Sequence, residues 1–157
     1  MKRILLILSA SRVSTSCVDA ALESAAKESA ELVVLFILDT AGSRDMQERM
    51  SDEGFLGEAP SGRLLRAVRR ERKRQGAGEL ADIVRRAEKR GITCRSDLVE
   101  GDFLTMALMA AQNEAPTVIF VARRERAALS RLMSGSLAEE LKDAAQCEVM
   151  IHEGDDG

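Results

Sequence analysis

The sequence has no tryptophan and no tyrosine, and four phenylalanines are its whole aromatic complement. A surface that stacks single-stranded bases needs more rings than that. The net charge is only −3, so the broad basic footprint of a dedicated nucleic-acid binder is missing too. Histidine occurs once, as His152, and the three cysteines, Cys17, Cys94 and Cys147, lie far apart with no C-x-x-C pair. These residues give no zinc-ligand spacing, and no metal site is expected. A Ser-His or Cys-His nucleophile would depend on one imidazole that sits beside a polar tail and reads as solvated. The cysteines read as small buried hydrophobes in a reducing cytoplasm. No segment is long enough to span a membrane. The opening "MKRILLILSASR" starts basic, as a signal peptide does, but "ILLIL" is short for its apolar region and the chain then turns polar. Nucleic acid and membrane are therefore not expected partners.

What is present is a chain of 157 residues, 45% hydrophobic, which suits one domain over 1–157. Five short apolar runs punctuate it: Arg3 to Ser9, Glu31 to Asp39, Ile92 to Glu100, Thr117 to Ala122 and Glu148 to His152. Three of them are nearly continuous in Ile, Leu and Val, the pattern of strands buried on both faces of a parallel sheet. Helical periodicity fills the intervals. "CVDAALESAAKESA" places Val18, Ala21, Leu22, Ala25 and Ala26 on one face. Arg63 to Arg90 is long and basic, with Leu64, Leu65, Val68, Leu80, Ile83, Val84 and Ala87 as its apolar side. Gly76 and Gly78 weaken its middle by up to ~1 kcal/mol each. "FLTMALMAAQN" carries Phe103, Met106, Ala107 and Ala110, and "SLAEELKDAA" carries Leu137, Leu141 and Ala144. Ser136 and Glu139 have the spacing of a capping box for that last helix.

Strands alternating with helices of this length imply right-handed crossovers and a doubly wound parallel sheet, with strand order 3-2-1-4-5. One long connection, residues 40–62, reads as a surface excursion that carries Phe55 and Leu56. The basic helix could face an anionic partner, but a solvated face laced with short-range ion pairs is the commoner meaning of such a run.

Ligands of open α/β sheets bind beyond the carboxyl ends of the strands, where the strand order reverses. Two segments meet there: "SASRVS", Ser9 to Ser14, and "VARRERAALSRLMSGS", Val121 to Ser136. Neither is a G-x-G-x-x-G dinucleotide fingerprint or a P-loop. The second has the place of a phosphate-binding loop, between a strand and a helix, but only Gly135 remains of its glycines.

The run "TVIFVARRERAALSRLMSGSLAEELKDAAQCEVMI" resembles the last third of a universal stress protein domain. "GFLGEAPSG", "VEGDFLTMALMAAQ" and "ELVVLFILD" resemble its middle and its second strand, so the likeness covers nearly the whole chain. The resemblance implies a Rossmann-like, adenine nucleotide α-hydrolase-like fold. It implies a cytoplasmic protein of the stress response, and a homodimer through the last strand, Glu148 to His152. It also implies an adenosine site. ATP-binding members carry an acid at the end of the first strand, where Ser9 stands here, followed by Ala10 and Ser11. Ile37 matches a position that lines the adenine pocket. The first two loop glycines fall on Ala122 and Glu125, whereas Ser130, Gly135 and Ser136 match the pattern.

The departures have physical consequences. A Cβ at position 125 disfavours positive φ, and the Glu125 carboxylate would face phosphate. Arg123, Arg124 and Arg126 bring opposite charge, but a phosphate cradle depends on aligned backbone N–H groups that arginines on flexible stems do not replace. The expectation is a non-enzymatic regulatory or interaction protein, with an unidentified protein partner allowed, no required cofactor, and ATP or AMP bound weakly if at all. Two alternatives stand beside it. One is a nucleotide switch that uses the arginine-rich loop. The other is a nucleotide hydrolase, for which Glu125 is the only candidate base at the loop.

Overall fold

In a computed structural model the described residues, 2–10, 12, 14–39, 58–123 and 137–153, form five strands and four helices in strict alternation. They are β1 (Arg3–Ser9), α1 (Thr15–Glu28), β2 (Glu31–Asp39), α2 (Glu58–Lys89), β3 (Cys94–Gly101), α3 (Phe103–Glu114), β4 (Val118–Ala122), α4 (Leu137–Ala144) and β5 (Glu148–His152). All pairings are parallel and the order is β3-β2-β1-β4-β5, as the sequence pattern requires. The three near-continuous apolar runs are the three central strands, and they are buried almost end to end. The edge strands β3 and β5 have mixed exposure, which is why their sequences are mixed too.

Strand alternation divides the core in two. Ile4, Leu6, Leu8, Leu32, Val34, Phe36 and Phe120 point to one face, where Cys17, Val18, Ala21, Leu22 and Ala25 of α1 and Leu80, Ile83 and Ala87 of α2 cover them. Leu5, Ile7, Val33, Leu35, Ile37, Ile119 and Val121 point to the other face, under Phe103 and Ala107 of α3 and Ala138 and Leu141 of α4. Two face assignments are corrected by packing: Cys17 is buried where Ala26 was expected, and Ala138 where Ala144 was expected.

Local chemistry sets the helix ends. Ser14 adopts an extended backbone and its hydroxyl accepts from Cys17 N–H at 3.2 Å, so α1 starts two residues before its apolar pattern does. Asp102 caps α3 by accepting from Thr105 N–H at 3.0 Å and from the Thr105 hydroxyl at 2.8 Å. α2 begins at Glu58, so the segment 58–62, expected as the end of the excursion, is helical. The rest of that excursion, with Phe55 and Leu56, lies outside the described residues.

At 32 residues α2 is roughly 48 Å long, whereas an eight-residue strand spans about 26 Å. Its first half therefore overhangs the sheet: Leu64 is exposed and Leu65 and Val68 are half-buried, while Leu80, Ile83 and Ala87 are core. Its basic side chains find local acids. Arg69 and Lys73 pair with Glu100, Arg86 pairs with Asp19, and Arg74 and Arg85 pair with Glu71 and Asp82 one turn away.

Candidate functional site

β1 and β4 are the central neighbours, so the connections leaving them go to opposite sides and open a crevice at their carboxyl ends. Ser9 ends β1 and pairs in register with Ile37 of β2; both are buried. Ala122 ends β4, fully buried, and pairs with His152 of β5. Ala10 is half-buried behind the strand end. The structure thus gathers Ser9, Ala10, Ile37 and Ala122 at one end of the sheet. Ser11, Arg124, Glu125, Arg126, Ser130, Gly135 and Ser136 lie outside the described residues.

Arg123 is described, and its guanidinium sits among acids. Its Nη2 donates to Glu139 Oε1 at 2.6 Å and its Nη1 to Glu153 Oε1 at 3.2 Å, while its backbone N–H donates to His152 O at 2.7 Å. Two carboxylates already compensate this guanidinium, which ties the end of β4 to α4 and to the end of β5. Arg123, expected as an attractor of phosphate, brackets these three elements. The Glu139 carboxylate accepts from Arg123, and the capping box expected of Glu139 involves Ser136, which lies outside the described residues.

His152 was expected in solvent, and packing has half-buried it. Its ring centroid lies 6.0 Å from that of Phe120, and its Nδ1 is 3.5 Å from Ser16 Oγ, which lies 3.0 Å from Ser14 Oγ. The three thiols are free. Burial pushes Cys17 up to about 12, and burial with Glu88 and Glu31 pushes Cys94 up to about 11. Burial and Glu148 raise Cys147 as well. Each is therefore a poor nucleophile at neutral pH. Among the described residues no cluster of His, Cys, Asp and Glu could hold a metal ion. No helix among them is long and apolar enough to cross a membrane.

The residue that the sequence pattern did not single out is Arg12. The chain turns back after β1, with Arg12 N–H donating to Ser9 O at 3.1 Å, and this returns the Arg12 side chain over the strand ends. Its Nη1 donates to Ala122 O at 3.3 Å, and its guanidinium carbon lies 4.3 Å from the centroid of the Phe103 ring. Arg12 is 2% exposed and Phe103 fully buried. A signal was available: Arg12 is the only charged residue between Arg3 and Asp19, within a run of small residues after a buried strand. A sequence search for an acid or a glycine passes over it.

An ATP site of the kind implied by the sequence resemblance would need an acid at the end of β1 and a glycine at the end of β4. The described residues supply Ser9 and Ala122 there, with Arg12 across the gap. Both strand ends thus depart from that pattern. A groove of about 540 Å³ lies at the opposite end of the sheet between the carboxyl ends of α3 and α4, lined by Leu108, Ala111, Pro116 and Cys147 among others. It is remote from the switch point and carries no acid–base pair.

A parallel sheet wound in both directions, with its crevice at the switch point, defines a doubly wound α/β protein of the Rossmann-like class. Residues 1–152 match the universal stress protein family, and the chain belongs to that family. It is 24% identical over 151 residues to universal stress protein Sll1388 of Synechocystis, spanning 95% of this chain and 96% of that protein. Universal stress protein UspA from Lactobacillus plantarum superposes with a TM-score of 0.70 at 16% identity, covering 96% and 97% of the two chains. A universal stress protein solved in complex with cAMP superposes at 0.65 with 15% identity, covering 98% of each. At such identities the superpositions speak for the fold.

Proposed function

We propose that this universal stress protein is a homodimeric regulatory or interaction protein of the cytoplasmic stress response, non-enzymatic and without tight ATP binding. The observation that carries the reading is the switch-point crevice, where Ser9, Ala122 and a buried Arg12 stand in place of an acid, a glycine and open space. Arg123 supports it, because its charge is already shared with Glu139 and Glu153. For the dimer, support comes from β5. It pairs with β4 on one side, forms an edge of the sheet, and exposes Met150. An edge of this kind favours pairing, and no proline interrupts Glu148 to His152.

A second reading is favoured by the relative solved with cAMP: a switch that binds an adenine nucleotide through its arginine-rich connection. Calorimetric titration of the wild-type protein with ATP, AMP and cAMP separates the two. The leading reading expects ATP affinity no better than about millimolar, or ~4 kcal/mol. Low-micromolar binding of any of the three would establish the switch instead. Light scattering on the same preparation tests the dimer, and a monomer at high micromolar concentration would remove it.

A further inference from the structure

We propose that Arg12 is an internal occupant of the switch-point crevice, an autoinhibitory contact whose guanidinium lies where a flat ligand ring would stack. The proposal rests on the reading above that tight nucleotide binding has been lost, and it supplies a cause that is separate from the phosphate loop.

Three features of the geometry carry it. First, the side chain crosses the crevice. It starts from the turn after β1, reaches the last carbonyl of β4, and covers the Phe103 ring at the start of α3. Second, what it covers would suit a flat aromatic heterocycle. The Phe103 ring belongs to the apolar cluster of Ile7, Ile37 and Val121, and the buried Ser9 ends the strand that Ile7 belongs to. Such a base would use the same ring face for stacking and the same strand-end carbonyl as an acceptor. Third, a guanidinium matches both demands at once. It is planar, it stacks on aromatic faces, and it donates along its edge. At 2% exposure it leaves little of that surface to solvent. An incoming base must therefore displace Arg12 rather than join it.

A merely structural arginine would change stability without changing affinity for a nucleoside. Adenosine is the probe, because it lacks phosphate and is indifferent to the loop. Wild type, Arg12→Ala and Arg12→Met are titrated with adenosine by calorimetry, with circular dichroism confirming the fold of each. Arg12→Ala vacates the crevice, and its adenosine affinity should exceed that of wild type by about tenfold or more. Arg12→Met keeps a long side chain in place and should stay within a few-fold of wild type. Equal adenosine affinity in wild type and Arg12→Ala, or no binding by either, overturns the proposal.

A second measurement needs no variant. In the wild-type protein the Arg12 guanidinium protons should resonate upfield, under the Phe103 ring current, and stay there when adenosine is added to about millimolar concentration. Unshifted guanidinium signals, or signals that move with adenosine, would also overturn it. ATP titration of the wild type tests the parent reading independently. Tight ATP binding that moves the Arg12 signals would defeat the loss of nucleotide binding yet leave Arg12 as the group a base displaces, whereas tight binding with unchanged Arg12 signals would overturn both.

Discussion

Gly76 and Gly78 sit two residues apart in the same helix, and replacing each with alanine should move stability in opposite directions. In a helix interior Gly→Ala contributes about 1 kcal/mol through backbone entropy and propensity. Gly78 faces open space, with nothing within 4 Å of an added Cβ, so Gly78→Ala should gain roughly 0.5–1 kcal/mol. Gly76 is buried where α2 crosses β2 and β3. A Cβ there would stand 2.7 and 2.9 Å from Phe36 Cδ1 and Cε1, and 2.9 Å from Leu98 Cδ1. Ordinary carbon contacts need about 3.5–4.0 Å. Phe36 is fully buried between the strands and α2 and has little room to yield. Overpacking of this kind costs about 1–3 kcal/mol, which exceeds the propensity gain. Gly76→Ala should therefore destabilise by roughly 0.5–2 kcal/mol, and the two variants should differ by about 1–3 kcal/mol. Urea unfolding at pH 7, with equal slopes for both, gives the comparison. If Gly76→Ala proved as stable as Gly78→Ala, the close approach of α2 to the sheet would be wrong.

The pH dependence of stability should be visible at both ends of the sheet. The Arg95 guanidinium donates to both Glu114 oxygens, at 3.1 and 2.5 Å, and this hydrogen bonding holds Glu114 below the usual carboxylate range; Lys73, with Arg69, does the same for Glu100. A depressed carboxyl contributes stability above its unfolded value of about 4.3, and that contribution disappears as pH falls through the folded value. Arg95→Met should thus lose roughly 0.5–1 kcal/mol at pH 7 and converge with wild type near pH 2; a gap that persists in acid would refute the assignment. The thiols give a chemical check. With Cys94 at about 11 and Cys17 at about 12, their thiolate fractions at pH 8 are far below that of a free cysteine, by roughly a hundredfold or more. Native protein should label slowly with a disulfide reagent and leave Cys17 untouched, whereas unfolded protein should titrate three thiols at once. Rapid native labelling of Cys17 would contradict its burial.

Much of this molecule is legible in one dimension. Near-continuous Ile, Leu and Val in β1, β2 and β4 mean burial on both faces. Only a parallel sheet with helices above and below provides that, and right-handed crossovers then leave few strand orders to choose from. Period and composition are local properties, so strands, helices and the position of the switch point could be read directly. The helix ends were less legible, because α1 starts at a serine cap that precedes its apolar pattern and α2 starts at Glu58, well before its own. The site residues Ser9, Ile37 and Ala122 could be placed at one end of the sheet because each terminates or lines a strand. What those residues meet there was not a property of the sequence. Arg12 reaches a carbonyl 110 positions away and a ring 91 positions away, and Arg123 finds its two acids on α4 and after β5. Long side chains choose among partners by distance and burial, and only the folded chain brings those partners within reach. The tertiary structure therefore decided that one arginine brackets three elements and that another fills the crevice, and it made Gly76 a packing requirement where composition marked a weak point in a helix.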